Sequence, residues 1–268
     1  MDGSKMLYKP LDIVWTKKHH NNIWDIMKSI DIETINKSGL VFAGGTLCAL
    51  RYGEYRESVD IDFFTNIENK KNFSLFQQNI INGNNGNILL QNQNSKYGIN
   101  IIRYERNFLQ LLIKNNHKNN PNEDAKDVKV EFVCSEIPLV GTTLFKGVLS
   151  LSPIASIACK LIAYKIRGKE LSSQKKDLID LLILKHHEST LRFNNGMSIA
   201  QKFYGSGSSI EQTLYKEALQ IVESPENFFA ICDKHLIDDN TKKTLLSELK
   251  EIIDNKTNTI QHPDVFLR

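Results

Sequence analysis

The sequence predicts a protein of the α/β class with an α+β arrangement, in which a mixed sheet comes first and a bundle of helices follows. Strand-like runs of β-branched and aromatic residues alternate with helical patterns up to about residue 150, and from Ser152 onward the pattern is helical. The 268 residues, with 41% hydrophobic and 24% charged side chains, suit a globular protein with one large or two ordinary domains. We therefore expect two domains, residues 1–150 and 151–268.

The individual elements follow from periodicity and from turn residues. In the first half, helices are predicted at residues 22–36, 47–50 and 69–81, and strands at 40–43, 59–64, 88–92, 99–104, 108–113 and 127–133. Residues 82–87 and 114–126 are predicted turns or polar loops. In the second half, helices are predicted from residue 152 to 167, around 176–184, and near 210–222, 225–232 and 241–253, with a flexible connection at 205–209.

Two aspartates lie in the strand-like segment 59–64. Alternation along a strand places Asp60 and Asp62 on the same side, with their Cα atoms about 6 to 7 Å apart. Two bare carboxylates at this spacing repel each other, which favours an exposed face or a bound cation. Mg²⁺ or Mn²⁺ takes oxygen ligands of this kind and leaves part of its shell for substrate phosphates. The alternative is a solvated strand end that carries two polar residues.

A glycine pair precedes these aspartates. The apolar residues 40–43 end at Gly44-Gly45-Thr46, and residues 47–50 have a helix-like composition. Glycine lets a phosphate approach the backbone, threonine can cap a helix, and a helix N-terminus favours anions. The segment therefore predicts a strand, a tight turn and a helix that could receive a triphosphate, with a plain turn as the alternative. The Gly-x-x-x-x-Gly-Lys and Gly-x-Gly-x-x-Gly patterns are absent, which disfavours kinase-type and dinucleotide-binding sites.

Together these motifs resemble the polymerase-β-type nucleotidyltransferases. The Gly44-Gly45-Thr46 turn stands fourteen residues before Asp60-x-Asp62, and residues 56–64 are similar to the AbiEii branch of abortive-infection and type IV toxin proteins. The resemblance implies an enzyme that moves an NMP from an NTP to a hydroxyl group, with Mg²⁺ or Mn²⁺ as cofactor. It also implies nucleotide contacts from the turn and from a serine before the aspartates, namely Gly44, Gly45, Thr46 and Ser58.

The same resemblance implies a third carboxylate on a neighbouring strand. Residues 127–133 supply a matching strand, in which Glu131 shares a face with Lys129 and Val133. Asp60, Asp62 and Glu131 are therefore the predicted catalytic carboxylates and metal ligands. The alternative for Glu131 is a strand residue that faces solvent.

The helix that begins after Ser152 carries a further resemblance. Serine and Pro153 suit a helix start, and apolar residues recur along one face as far as Arg167. AbiEii-type proteins have a lysine in such a helix and an aspartate in the next one, and Lys160 and Asp177 match these positions. The resemblance implies catalytic roles for both residues, with Lys160 also binding the nucleotide by offsetting triphosphate charge. The alternative is an ion pair between the two helices.

The sequence says least about which molecule receives the nucleotide. The resemblance implies RNA, particularly a tRNA end, modified by a toxin whose partner is an antitoxin. Transfer to a small hydroxylated molecule such as an aminoglycoside stays open, and so does a non-catalytic nucleotide-binding or interaction protein with the same fold. A formal net charge of +3 does not indicate nucleic-acid binding by the whole molecule, and the basic residues at 17–20 and 175–176 favour a solvated face.

The remaining composition argues for a cytoplasmic protein. The four cysteines are scattered without paired spacing, which predicts buried thiols rather than a zinc site or disulfides. No run of eighteen apolar residues occurs, and the N-terminus does not resemble a secretion signal. We therefore expect a cytoplasmic location and no membrane partner.

Overall fold

The computed structural model describes residues 9–83, 89–90, 96–116, 126–167, 171–204 and 208–261. The chain divides into two compact units, Met1–Ala155 and Ser156–Arg268. The strands of the first unit are β1 (Val41–Ala43), β2 (Asp60–Asn66), β3 (Tyr97–Glu105), β4 (Phe108–Asn115), β5 (Val128–Ser135), β6 (Thr142–Phe145) and β7 (Val148–Leu151). Its helices are α1 (Lys18–Ser29), α2 (Ile32–Lys37), α3 (Gly44–Arg51) and α4 (Lys70–Asn82), with a 3₁₀ turn at Ile67–Asn69.

The seven strands form one mixed sheet in the order β3-β4-β5-β2-β1-β7-β6. The pairs β2–β5 and β1–β7 are parallel, and the other neighbouring pairs are antiparallel. The predicted α/β class with a mixed sheet is therefore confirmed. Parallel pairing places β2 directly beside β5, so the two strands that carry the predicted carboxylates are neighbours at the centre of the sheet.

The two faces of the central strands differ in burial. Along β2 the residues alternate, with Ile61, Phe63 and Thr65 buried and the residues between them partly exposed. Phe63 stacks on Phe132 of β5 with ring centroids 5.4 Å apart, and Phe76 of α4 contacts the Phe132 ring at 4.9 Å. This aromatic layer buries one face of the sheet against α4, because aromatic pairs contribute large apolar areas. The carboxylates of β2 must then lie on the opposite face.

The prediction of one helix over residues 22–36 is wrong, because the chain forms α1 and α2 with a break between them. Ile30 is extended, with φ −79° and ψ 142°, and it forms an isolated bridge with Leu90. Asp31 then caps α2 by accepting hydrogen bonds from the backbone and the hydroxyl of Thr34. An aspartate within the helical pattern of residues 22–36 thus begins a new helix, as aspartate often does at an N-cap.

Two strands of the sheet were not predicted. β6 and β7 form a hairpin whose two turn residues, Lys146 and Gly147, have φ angles of 50° and 85°. Of the predicted strand 88–92, the structure describes only Leu89 and Leu90. The predicted turn and loops at 82–87, 114–126 and 205–209 fall wholly or partly outside the described residues.

The second unit is helical, as predicted. Its helices are α5 (Pro153–Ile166), α6 (Leu171–His187), α7 (Thr190–Tyr204), α8 (Ser208–Glu223), α9 (Glu226–Lys234) and α10 (Asp239–Gln261), of which α7 was not predicted. Buried leucines and isoleucines from α5, α6 and α10, such as Leu161, Ile179 and Leu249, form its core, and α10 packs against α8 and α6. None of the helices in the described part of the chain combines the length and apolar character that a bilayer crossing requires.

Candidate active site

The glycine turn lies directly against one of the predicted carboxylates. β1 ends at Ala43 and α3 begins at Gly44, whose φ is +77°. A Cβ atom built on Gly44 would overlap the Asp62 side chain, 2.5 Å from its Cγ and 2.7 Å from its Cβ. The N-terminus of α3, where the first N–H groups have no acceptor within the helix, therefore lies beside Asp62. Ala43 supplies no side-chain cap for these groups.

The three predicted carboxylates share one face of the sheet. Asp60 and Asp62 alternate with buried residues along β2 and are partly exposed. In the parallel β2–β5 pair, Asp62 is the direct partner of Glu131, and Asp60 is the partner of Lys129. Neighbouring strands are about 4.8 Å apart, so Glu131 is the cross-strand neighbour of Asp62 on the β5 side. The sequence prediction thus placed all three residues on strands that the sheet brings together.

The carboxyl group of Glu131 also bonds to β4, the strand on the side of β5 away from β2. Gln110 of β4, which pairs with Glu131 across the β4–β5 ladder, donates a hydrogen bond from Nε2 to Glu131 Oε1 over 2.6 Å. β4 lies on the side of β5 away from β2, so this contact turns one oxygen of Glu131 away from Asp62. Within the described ranges, no three His, Cys, Asp or Glu side chains are grouped closely enough to hold a metal ion.

The donor chemistry nevertheless fits a hard divalent cation. Carboxylate oxygens are the ligands that Mg²⁺ and Mn²⁺ take in proteins, and Asp60, Asp62 and Glu131 offer them from one partly exposed face. Lys129, which is exposed, is the register partner of Asp60 across the two strands. Asp60, Asp62 and Glu131 therefore stay the predicted metal ligands on the chemistry of their oxygens, although their side chains are not grouped as a metal site within the described residues.

The hydroxyl groups of Thr46 and Ser58 bond within the protein. Both residues are buried, and their side-chain oxygens lie 2.9 Å apart. The Thr46 hydroxyl also donates to the backbone carbonyl of Asp60. These bonds join the first turn of α3 to the start of β2. Thr46 and Ser58, which are among the residues predicted to contact a nucleotide, therefore also fix the position of Asp60 relative to the glycine turn.

A buried histidine supports the same segment. His20 of α1 is fully buried, its Nδ1 lies 2.8 Å from Glu54 Oε1, and its Nε2 accepts a hydrogen bond from the Ser58 backbone N–H over 3.2 Å. Burial raises the pKa of Glu54, but hydrogen bonds from Thr16, Lys17 and His20 outweigh it and lower that pKa to about 2. Burial also lowers the pKa of His20, against the opposing effect of Glu54. The pair is therefore a carboxylate and a neutral imidazole at pH 7.

This pair should make the protein less stable in acid. His20 and Glu54 both have folded-state pKa values below their ordinary 6.5 and 4.5, so the unfolded chain binds more protons in each window. The free energy of unfolding should fall as the pH drops below 6.5 and fall further below 4.5. Glu54→Gln should make the slope below pH 4.5 shallower by up to about 1.4 kcal/mol per pH unit. Urea unfolding from pH 3.5 to 8 measures both slopes.

The control for this prediction is Glu33→Gln, because Glu33 is an exposed acid of α2 that pairs with the exposed Lys37 one helical turn later. Its slope should match that of the wild type. Identical slopes below pH 4.5 in the wild type and Glu54→Gln would contradict the assigned role of Glu54.

In the helical unit, Lys160 pairs with two aspartates of α6. Lys160 Nζ lies 2.9 Å from Asp177 Oδ1 and 2.6 Å from Asp180 Oδ2, and both aspartates are almost fully buried. Arg167 also bonds Asp177, at 3.0 Å. Buried carboxylates need such partners, because an unpaired charge inside a protein is costly. The alternative given above, an ion pair between the two helices, is therefore present in this unit.

The sequence did not single out three residues that the structure places at the site, namely His20, Glu54 and Gln110. The pairs His20–Glu54 and Gln110–Glu131 are separated by 34 and 21 residues. No local periodicity reports such a contact. The basic run at residues 17–20 was predicted to be a solvated face, and this is wrong for His20, which is fully buried.

Comparison with known proteins gives a family match and two similar structures. A family model described as "Nucleotidyl transferase AbiEii toxin, Type IV TA system" matches residues 26–251. The chain is similar to JHP933 from Helicobacter pylori, with 15% identity over 92% of this chain and 98% of that one, and a TM-score of 0.54. A second H. pylori protein, provisionally assigned as a nucleotidyltransferase, shares 18% identity over 90% and 98% of the chains, with a TM-score of 0.49. No curated protein sequence matches significantly.

Proposed function

Because the chain belongs to the AbiEii nucleotidyl transferase toxin family, we propose that it is a metal-dependent enzyme that moves an NMP from an NTP to a hydroxyl group of RNA. The observation that carries this proposal is the close approach of the Gly44 turn to Asp62, whose cross-strand partner is Glu131. A phosphate-binding helix start and a row of carboxylates then meet at one point of the sheet. Both parts are needed for phosphoryl chemistry.

The carboxylates would hold Mg²⁺ or Mn²⁺. Asp60, Asp62 and Glu131 are the residues for this role, and Gln110 holds Glu131 in place from the neighbouring strand. A bound divalent ion makes an attacking hydroxyl more acidic and offsets negative charge on a leaving pyrophosphate. The exposed ammonium group of Lys129 is placed to limit repulsion between the acids.

The triphosphate would lie at the N-terminus of α3. Gly44 and Gly45 carry no side chain there, so phosphate oxygens can approach the backbone N–H groups of the first turn. We assign Thr46 and Ser58 to the same binding region through the bonds by which they fix the turn to β2. Roles for Lys160 and Asp177 in binding charge or in catalysis rest on family membership alone and stay predictions.

RNA as the acceptor rests on the resemblance of the motifs to the AbiEii branch, and the family description names a toxin of a type IV toxin–antitoxin system without naming an acceptor. An RNA end, such as that of a tRNA, presents a ribose hydroxyl as the nucleophile. The same description supports an antitoxin as the functional partner. A small hydroxylated acceptor of the aminoglycoside type would use the same carboxylates and the same leaving group.

The test is to incubate the protein with each α-labelled NTP and Mg²⁺ in the presence of total RNA, an aminoglycoside panel or no acceptor. We expect label to enter a discrete RNA species with release of pyrophosphate, and EDTA to abolish transfer. Label in an aminoglycoside instead would replace the acceptor and keep the enzyme class. Metal-dependent NTP binding without pyrophosphate release would overturn the proposal in favour of a non-catalytic nucleotide-binding protein.

A further inference from the structure

α1 contacts the chain just before both strands that carry the carboxylates. His20 accepts a hydrogen bond from the backbone N–H of Ser58 over 3.2 Å. Asn22 donates from Nδ2 to the backbone carbonyl of Lys126 over 2.8 Å. β2 begins at Asp60 and β5 begins at Val128, so one turn of α1 holds the segments that lead into both strands.

His20 is itself fixed in one orientation and one protonation state. Its Nε2 accepts from a backbone N–H, which requires that this nitrogen carry no proton, so Nδ1 donates to Glu54. Glu54 is held in turn by the Thr16 hydroxyl at 2.6 Å, the Thr16 N–H at 2.8 Å and the Lys17 N–H at 3.1 Å. Glu54 is 7% exposed and His20 is 0% exposed, so water competes weakly for these bonds.

The backbone that His20 holds leads directly into the strand that carries Asp60 and Asp62. Side chains alternate along a strand, so a slip of one residue in β2 would turn Asp60 and Asp62 toward the aromatic layer. Ser58 lies two residues before Asp60, and its side chain also contacts Thr46 of the glycine turn. A fixed Ser58 backbone therefore holds the entry into β2 at one position relative to α3.

We infer that His20, oriented by Glu54, is a positioning residue that holds the Ser58 backbone and thereby places Asp60 and Asp62 for catalysis. The inference rests on the proposed function. His20 acts only through the backbone of Ser58 and does not touch the substrate. Its acceptor nitrogen is the atom that matters for turnover, whereas its donor nitrogen serves orientation and stability.

Two substitutions separate these two nitrogens. In His20→Gln the amide oxygen can take the place of Nε2 and accept from Ser58, while the bond to Glu54 is lost. In His20→Asn the shorter amide can donate to Glu54, while the acceptor at Ser58 is lost. The bond lost in His20→Gln is to the Glu54 carboxylate and the bond lost in His20→Asn is to a neutral backbone N–H, so His20→Gln should lower the thermal midpoint at least as much as His20→Asn. If His20 served stability alone, kcat would therefore fall at least as far in His20→Gln as in His20→Asn.

The measurement is steady-state pyrophosphate release together with amide hydrogen exchange at Ser58. We expect His20→Asn to lower kcat by roughly 10- to 100-fold with less than a twofold change in the KM for NTP, and to speed exchange at Ser58. His20→Gln should keep kcat within about threefold of the wild type and retain slow exchange. Circular dichroism confirms that both variants fold.

The outcomes distinguish the two proposals. A wild-type protein that releases no pyrophosphate overturns the proposed function, and the positioning role with it. An active wild type in which the two variants lose kcat equally overturns the positioning role alone. Unchanged exchange at Ser58 in a folded His20→Asn variant would do the same, because the proposed contact would then not hold that backbone.

Discussion

Replacing Asp62 with asparagine should lower NTP turnover by at least about 100-fold and leave the fold intact. Asp62 lies between the N-terminus of α3 and Glu131, so it is the carboxylate that both halves of the site share. Asparagine has nearly the same size and keeps one acceptor oxygen, but it carries no charge to hold a divalent cation. The expected loss is measured as the rate of pyrophosphate release at saturating NTP and Mg²⁺, with circular dichroism to monitor the fold.

The matched control is Glu68→Gln. Glu68 follows β2 in the Ile67–Asn69 turn, is exposed, and loses the same charge on substitution. Its turnover should stay within about twofold of the wild type, because a solvated charge outside the site contributes little. Equal turnover in Asp62→Asn and the wild type would remove Asp62 from the catalytic machinery, and a parallel loss in both variants would point to overall charge instead.

The backbone of the site was predictable because its signals are local. A strand ending in two glycines and followed by a helix-forming run is determined over about ten residues, and so is the alternation that puts Asp60 and Asp62 on one face. Local signals could not place Glu131 beside Asp62, because the residues of one strand do not determine which strand pairs with it. The family resemblance supplied that step, and the parallel register of β2 and β5 agrees with it.

The supporting side chains were not predictable, because their partners are distant in the sequence. His20 belongs to a run of four basic residues, whose local pattern is that of a solvated surface. It is buried because Glu54 and the Ser58 backbone meet this position of α1 after folding. Gln110 likewise becomes informative only when β4 pairs with β5. Tertiary pairing, rather than residue type, determines these roles.

The β6–β7 hairpin was missed for a different reason. Its turn has positive φ at two consecutive positions, a geometry for which Asn-Gly or Asp-Gly is the usual signal, but here a lysine precedes the glycine. Each strand has only four residues, too few for a clear alternation. β7 nevertheless pairs with β1, so this short hairpin completes the sheet on the side of the glycine turn away from β2.

Gly44→Ala should destabilise the protein by more than about 2 kcal/mol and lower turnover by at least about 100-fold. A left-handed backbone conformation alone costs an alanine about 1 to 2 kcal/mol. At Gly44 the added methyl group would also overlap the Asp62 carboxyl group, so either that side chain or the start of α3 must move. The variant therefore disturbs the proposed phosphate site and a proposed metal ligand together. Urea unfolding and pyrophosphate release measure the two effects.

Gly53→Ala separates the backbone cost from the steric one. Gly53 has a φ of +81°, close to the +77° of Gly44, but a Cβ atom there would have no heavy atom within 4 Å. It follows α3 and is exposed, so its substitution should cost about 1 to 2 kcal/mol of stability and leave turnover unchanged. If Gly53→Ala lowered turnover as much as Gly44→Ala, the loss would come from general destabilisation. A normal rate in Gly44→Ala would show that the close approach of the turn to Asp62 is not needed for activity.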